Sequence, residues 1–280
     1  MRLLTCTAIA AALVLSMAAC TQQESATENE VVSTEAAGDL TALNGTWKTD
    51  KASVKFEQKP DDILLQGGTY KCSTCIPPLS VAADGQFHDV AGRAYSDSMS
   101  VKVVDDKTVE LKSRKGGRDT FAATLTVSAD GNTLTRKFKD SSTPNAPAVE
   151  GASSSSRAGP APAGAHAISG QWTPNEVKEY SEDALNATYK VDGNKVTWSG
   201  QGQTYTAEIG GPAVPVPGDI GGSTVAVTQD GNSLKETFSR EGKVVNETVT
   251  TVSADGKSMT WVVTDPRDGS KVSGTAAKTN

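Results

Sequence analysis

The sequence predicts an all-β protein made of two tandem, small antiparallel meander barrels, with little helix beyond an N-terminal signal segment. Three observations lead to this fold class. Aromatic residues make up 5% of the chain and glycine occurs 26 times, a balance that suits short strands and tight turns. Asp-Gly dipeptides separate runs in which apolar and polar residues alternate. Several motifs recur at one constant spacing, which indicates an internal duplication.

Residues 1–19 have the composition of a cleaved export signal. A single cation, Arg2, precedes a short apolar stretch and then small residues. The stretch is too short for a convincing membrane-spanning helix. Residues 16–20 (SMAAC) resemble the lipobox of bacterial lipoproteins, and the resemblance implies cleavage after residue 19 and acylation of Cys20. The alternative is an ordinary secretory signal cut nearby, which would leave Cys20 as a spare thiol.

Residues 20–40 are predicted to be a disordered tether. Residues 21–40 contain five acids and neither a base nor an aromatic ring, so they cannot bury enough apolar surface to fold. In lipoproteins of this type, Asp after the acylated cysteine would indicate retention in the inner membrane, whereas this chain has Thr21. We therefore expect a bacterial envelope protein that is anchored in the outer membrane by the lipid on Cys20.

An internal repeat divides the remaining chain into two units. The landmarks recur at an offset of 125 residues: Gly45-Thr46-Trp47 with Gly170-Gln171-Trp172, Gly117-Arg118 with Gly242-Lys243, and residues 126–131 with 251–256, both TVSADG. Three landmarks at one spacing argue for duplication. The repeat predicts one barrel over 41–157 and another over 168–280. The Pro-, Ala- and Gly-rich stretch 158–167 between them is predicted to be the linker.

Each unit has the pattern of short strands joined by tight turns. Six Asp-Gly dipeptides and two Gly-Gly pairs mark the turns, beginning at Asp84, Asp130, Asp192, Asp230, Asp255 and Asp268, and at Gly67 and Gly116. The run 134–139 alternates, with Leu134, Arg136 and Phe138 on one face. Eight to ten strands per unit favour a closed or nearly closed barrel, since closure removes exposed edges. An open sandwich is the alternative.

The Gly-x-Trp motifs at Trp47 and Trp172 resemble the opening motif of lipocalins. The wider pattern is similar to that of uncharacterised lipocalin-like bacterial lipoproteins, through residues 59–61 (KPD), 70–78 (YKCSTCIPP) and the TVSADG segments. The resemblance covers both units and implies a tryptophan at each barrel floor, often under an Arg or Lys from the last strands. Arg136 is the candidate cation over Trp47; alternatively it lies near a barrel mouth with its head in water. The family implies no settled activity.

Cys72 and Cys75 are predicted to form a local disulfide. Outside the cytoplasm two nearby thiols usually oxidise, and the second unit has no cysteine. A redox role would need a pair at a helix start, and a metal site would need two further ligands. Haem attachment would need His directly after the second cysteine, where the chain has Ile76.

Composition and motifs exclude several classes of function. Removal of residues 1–19 takes away Arg2 and no acid, so the mature chain is more acidic than the net charge of −6 of the whole chain, and a nucleic-acid partner is not expected. The Asp-Gly-Asn triplets lack the remaining ligands of a calcium loop. His166 lies in the predicted linker, and His88 follows a turn. No nucleophile elbow, phosphate loop or zinc-binding helix motif is present, so we predict neither an enzyme nor a metal or other cofactor.

Three functions stay open at this point. The first is a binding module that holds a small apolar or amphipathic ligand in a lipocalin-like barrel, although seven aromatic rings per unit could fill a small barrel. The second is a non-enzymatic structural or interaction module with an envelope protein or the cell wall as its partner. The third, a redox enzyme using Cys72 and Cys75, lacks the helical setting that such chemistry needs.

Overall fold

The computed structural model describes residues 38–279, and this part of the chain is all-β, as predicted. Its strands form two nearly closed antiparallel barrels. The predicted signal segment, Cys20 and nearly all of the predicted tether lie outside the described residues. In residues 38–279 no helix has the length and apolar character needed to cross a membrane.

Twenty-one strands and three 3₁₀ turns account for the regular structure of residues 38–279. The 3₁₀ turns are Leu40–Leu43, Lys51–Ser53 and Glu182–Leu185. The strands in chain order are β1 (Gly45–Thr49), β2 (Lys55–Glu57), β3 (Asp61–Gln66), β4 (Thr69–Cys72), β5 (Leu79–Ala82), β6 (Asp84–Asp89), β7 (Ser98–Asp105), β8 (Thr108–Lys115), β9 (Arg118–Val127), β10 (Thr133–Asp140), β11 (Val149–Gly159), β12 (Gly170–Tyr180), β13 (Asn186–Asp192), β14 (Lys195–Gly200), β15 (Gln203–Glu208), β16 (Val214–Pro215), β17 (Thr224–Asp230), β18 (Ser233–Arg240), β19 (Lys243–Val252), β20 (Ser258–Thr264) and β21 (Lys271–Lys278).

Each barrel is a single sheet curled until its edges approach. In barrel 1 the strand order is β5-β4-β3-β12-β11-β10-β9-β8-β7-β6, and the edge strands β5 and β6 are consecutive in the chain. In barrel 2 the order is β15-β14-β13-β1-β21-β20-β19-β18-β17-β16, with β2 also paired to β21. A bridge between Ile209 and Val227 draws the edges of barrel 2 together. Near-closure leaves little unpaired backbone.

The two repeats exchange their first strands. β1, from the first repeat, pairs with β13 and β21 of the second, so Trp47 lies in the core of barrel 2. β12, from the second repeat, pairs with β3 and β11 of the first, so Trp172 lies in the core of barrel 1. Both indoles are fully buried. Each barrel therefore depends on the other repeat: barrel 1 takes β12 from the second repeat, and barrel 2 takes β1 and β2 from the first.

Because of the exchange, the boundaries of the sequence repeats do not coincide with the boundaries of the barrels. The sequence repeat spans 41–157 and 168–280, but barrel 1 runs from β3 to β12, and barrel 2 combines β1 and β2 with β13 to β21. The stretch 158–167 does not join the barrels; it connects β11 to β12 within barrel 1, where the backbone of His166 donates to Leu65 O. The chain crosses between barrels at 58–60 and at the 3₁₀ turn Glu182–Leu185.

The predicted turns match the structure with one exception. The Asp-Gly pairs starting at Asp130, Asp192, Asp230, Asp255 and Asp268, and the two predicted Gly-Gly turns at Gly67 and Gly116, join consecutive paired strands. Their glycines have positive φ, which hairpin turns of this kind require. Asp84-Gly85 instead opens β6 at a bulge, because β5 and β6 are the two edges of barrel 1 and share no hairpin ladder.

The strand exchange predicts which barrel each tryptophan stabilises. Replacing Trp47 with Ala removes a fully buried indole from barrel 2, and we expect a loss of about 3–5 kcal/mol in the free energy of unfolding. Hydrogen exchange should accelerate mainly in residues 186–279, with a smaller effect in 61–180. Trp172→Ala is the matched control and should give the reverse distribution. A greater loss of protection within 61–157 than within 186–279 in the Trp47 variant would contradict the exchange.

Candidate functional site

The floor of each barrel is closed by a tryptophan and a cation. Trp47 Nε1 donates to Leu43 O (2.7 Å), and Trp172 Nε1 donates to Ile168 O (2.8 Å). Lys278 Nζ, on the last strand of barrel 2, lies 5.0 Å from the ring centroid of Trp47. These contacts place the indole at one end of its barrel, here called the floor, and the opposite end is called the mouth.

The matching cation over Trp172 is Arg157, with its Cζ 4.1 Å from the ring centroid. Its guanidinium also donates to the backbone oxygens of Gly131, Ala167 and Ser169. Arg157 pairs with Trp172 across β11 and β12 as Lys278 pairs with Trp47 across β21 and β1, so the two cations are equivalent. A cation over an indole stabilises both partners when water is excluded.

The prediction that Arg136 covers Trp47 is wrong. Arg136 and Trp47 lie in different sheets, and the cation over Trp47 is Lys278. Arg136 Nη2 is instead 4.0 Å from the Asp61 carboxylate, and 41% of the Arg136 side chain is exposed. Burial raises the pKa of Asp61, and the charge of Arg136 opposes that shift. The guanidinium of Arg136 is thus partly in water.

Cys72 and Cys75 are joined in a disulfide, as predicted. Cys72 ends β4 and is buried in the barrel 1 core, and Cys75 N donates to Cys72 Sγ. The pair follows a strand and lies in a bend rather than at a helix start, so the structure does not provide the helix dipole that lowers the pKa of a reactive thiol. The disulfide joins the end of β4 to the bend that follows it in barrel 1.

A cavity of about 480 Å³, here the mouth cavity, opens at the mouth of barrel 1. Its size falls within the usual range for small-molecule sites, about 300–1,000 Å³. Its wall includes a row of three rings: Phe121 and Phe138 stack with centroids 6.3 Å apart, and Tyr180 meets Phe138 edge-on at 6.0 Å. The Phe138 ring lies over Gly151, where a Cβ would come within 2.6 Å of it, so the glycine makes room for the ring.

Hydroxyl groups and amides supply most of the polar lining of the mouth cavity. Thr120 is 1% exposed, and its Oγ1 has no hydrogen-bond partner among the described residues. Ser113 lies beside it and is also buried. Burial raises the pKa of Tyr180, with the Asp140 charge adding to the shift, so the hydroxyl stays protonated and can donate. Within the described chain the cavity lining includes one carboxylate, Asp140, and no Lys or Arg.

The second repeat contributes to this cavity. Gln201, from the turn between β14 and β15, and Gln203, the first residue of β15, line it together with the mouth of barrel 1. Across the same junction Arg240 of barrel 2 stacks on Tyr95 of barrel 1, 4.7 Å from the ring centroid. The cavity therefore lies where the two mouths meet, a position that the repeat pattern alone did not predict.

A buried carboxyl distinguishes barrel 2 from barrel 1. Glu236 is 3% exposed, and Tyr205 donates its hydroxyl to Glu236 Oε1. Desolvation raises the pKa of Glu236 to about 7, although hydrogen bonds from Tyr205 and Tyr189 oppose the rise. Burial and the neighbouring carboxyl raise the pKa of both phenols, so they remain protonated donors.

The equivalent positions of barrel 1 are aliphatic. Strand pairings counted from Gly45 and Gly170 match Tyr189 to Ile63 and Tyr205 to Leu79. At the repeat offset Glu236 corresponds to Leu111. Because barrel 1 closes without these polar groups, the fold does not require them, and burying a carboxyl has a cost that its hydrogen bonds only partly offset.

Among residues 38–279 no cluster of three or more His, Cys, Asp and Glu side chains could hold a metal ion. His88 Nε2 contacts the Asp84 carboxylate at 2.9 Å on the surface, and His166 Nε2 lies 2.6 Å from Asp105 O. No protein-family model, curated protein or solved structure matches this chain.

The buried carboxyl predicts a specific pH dependence of stability. The folded-state pKa of Glu236, about 7, lies above the ordinary value of 4.5, so the folded state binds more protons between these two values. The stabilising contribution is complete below about pH 4.5 and is lost as pH rises towards 7. The full difference is roughly 3 kcal/mol.

Urea denaturation of the parent protein and of Glu236→Gln at pH 4.5, 6 and 8 tests this. Gln keeps an acceptor for Tyr205 but does not titrate, so the variant should lose less stability than the parent as pH rises. Parallel stability curves for the two proteins would show that Glu236 titrates at an ordinary pKa.

Proposed function

We propose that this protein is a lipid-anchored binding module of the bacterial envelope, and that it holds a small, neutral amphipathic molecule in the mouth cavity. The observation that carries the proposal is a concave site with an aromatic row on one side and the unpartnered, buried hydroxyl of Thr120 on another. Binding sites for small molecules commonly combine apolar walls with a few fixed polar groups. The anchor at Cys20 is part of the proposal and follows from the lipobox-like residues 16–20.

The charge of the lining favours a neutral polar group on the ligand. An anionic head would meet the Asp140 carboxylate with no Lys or Arg of the described lining to balance it. Hydroxyl groups on a ligand can instead exchange hydrogen bonds with Ser113, Thr120 and Tyr180. The three-ring row offers apolar surface to the remainder of the molecule. A polyol or sugar head joined to an apolar body fits both conditions.

The core of barrel 1 is filled, so a ligand can enter this barrel only at its mouth. Beneath the mouth the interior of barrel 1 is filled by a contiguous core around Trp172 that includes Leu125, Val101 and Ile63. A barrel filled with side chains can therefore still offer space for a ligand, because the mouth cavity lies above the core.

Calorimetric titration of the mature protein with 1-monooctanoylglycerol should show saturable binding. Thr120→Val removes the unpartnered hydroxyl with little change of shape, and we expect affinity to fall about five- to tenfold, the effect of one lost neutral hydrogen bond. Thr250→Val is the matched control: Thr250 is also 1% exposed with Oγ1 unpartnered in the described chain, and it lies in barrel 2. Octanoate, which carries an anionic head, should bind more weakly.

Absence of saturable binding, or an equal loss in the two valine variants, would reject the mouth cavity as the site. Native mass spectrometry of the protein purified from its envelope gives an independent result. A bound mass that disappears on denaturation supports the binding module, and the covalent mass reports whether Cys20 is acylated. A protein with no bound mass would favour the interaction module instead.

A further inference from the structure

A second cavity lies at the mouth of barrel 2 and is lined mainly by apolar side chains. This second chamber has a volume of about 320 Å³, and its lining includes Phe56, Val177, Leu185, Trp261 and Val272. The residues come from both repeats, because Phe56 precedes the first crossing between barrels and Val177 lies on the exchanged strand β12.

The walls of the second chamber are held by close packing. A Cβ on Gly274 would come within 2.6 Å of the Trp261 ring, so the indole lies directly on the last strand of barrel 2. Phe138 lies on Gly151 of β11 in the same way in the mouth cavity. In each mouth, therefore, an aromatic ring packs directly on a glycine of the neighbouring strand.

The two cavities share part of their lining. Tyr180 and Gln201 line both the mouth cavity and the second chamber. The Tyr180 ring ends the aromatic row that starts at Phe121, so the row leads from the mouth cavity to the second chamber. Tyr180 and Gln201 are the residues common to the two described linings, so the cavities adjoin at these residues.

The linings of the two cavities differ in polarity. Hydroxyl groups and a carboxylate are concentrated in the mouth cavity, whereas the second chamber presents mostly rings and branched aliphatic side chains. Covering such an apolar surface is favourable by about 25 cal/mol for each Å² removed from water. A molecule with a hydroxyl-bearing head and a flexible alkyl chain matches both linings at once.

We propose that the ligand carries an alkyl chain, and that this chain passes Tyr180 and lies in the second chamber, so that one molecule spans both mouths. The inference rests on the proposed function, since the polar head is placed in the mouth cavity. It assigns the ligand class as a single-chain neutral amphiphile, and it makes barrel 2 part of the binding site.

Trp261 allows the position of the chain to be tested directly. Its Nε1 has no hydrogen-bond partner within the described residues, so Trp261→Phe removes ring area and emission without breaking a hydrogen bond. Trp47 and Trp172 are fully buried at the floors, and Trp198 is absent from the described lining of both cavities, so these three indoles serve as internal references. The probe is the monoglyceride of 11-bromoundecanoic acid, whose terminal bromine quenches an indole only at contact.

We expect the brominated probe to quench the emission of the mature protein, and the quenching to disappear in Trp261→Phe although the probe still binds by calorimetry. Binding with unchanged quenching in Trp261→Phe, or with no quenching of the parent, would overturn the inference and leave the mouth cavity as the site. Failure of the brominated probe and of 1-monooctanoylglycerol to bind would overturn the inference and the proposed function together.

A variant that fills the second chamber gives a second, independent result. Val177→Phe should weaken the undecanoyl probe about tenfold by excluding roughly two methylenes, and should leave an acetyl or butanoyl monoglyceride nearly unchanged. Val249→Phe is the control, because Val249 is 37% exposed on β19 and lines neither cavity as described. Equal losses for short and long chains in Val177→Phe would contradict a chain in this chamber.

Discussion

The exchange of the two tryptophan strands is the constraint on which the rest of the structure depends. β1 completes barrel 2 and β12 completes barrel 1, so neither repeat closes a barrel from its own strands. Both exchanged strands run from a floor towards a mouth, and the chain then crosses to the other barrel. The mouths are consequently brought together, and the cavities lie at their junction. Separate barrels on a flexible linker would have no such shared surface.

Within this common frame the two barrels have diverged in their interiors. Barrel 1 carries Ile63, Leu79 and Leu111 where barrel 2 carries Tyr189, Tyr205 and Glu236. Arg136 of barrel 1 stands at the repeat position of Trp261, which lines the second chamber. The duplicated fold thus supplies two similar walls, while the side chains that face inwards give each mouth a different chemistry.

Much of the fold could be predicted because its signals are local. Alternation in 134–139, positive-φ glycines in hairpins and the Cys72–Cys75 spacing each act within a few residues, and the structure contains all three features. Strand partners are not local. Gly45-Thr46-Trp47 and Gly170-Gln171-Trp172 are nearly the same motif, so the pattern cannot distinguish a strand that closes its own barrel from one that closes the other.

The same ambiguity explains the outcome for Arg136. Arg136 belongs to the same repeat as Trp47, whereas the cation that covers Trp47, Lys278, belongs to the second repeat. Arg157 and Lys278 carry a signal that could have been used, since each is the last basic residue of its repeat. The mouth cavity had no comparable signal, because its lining is assembled from loops and strand ends far apart in sequence.

The exchanged strand β1 also sets the order in which the chain can be assembled. Barrel 1 has all its strands once Tyr180 has been synthesised, but Thr46 bonds to Thr279, 233 residues further along. The earliest described strand is therefore the last to find its partners. Until β13 and β21 have been synthesised its backbone N–H and C=O groups stay unpaired, and unpaired strand edges promote aggregation. A chain cut short within the second repeat would keep that edge permanently, however well barrel 1 had folded.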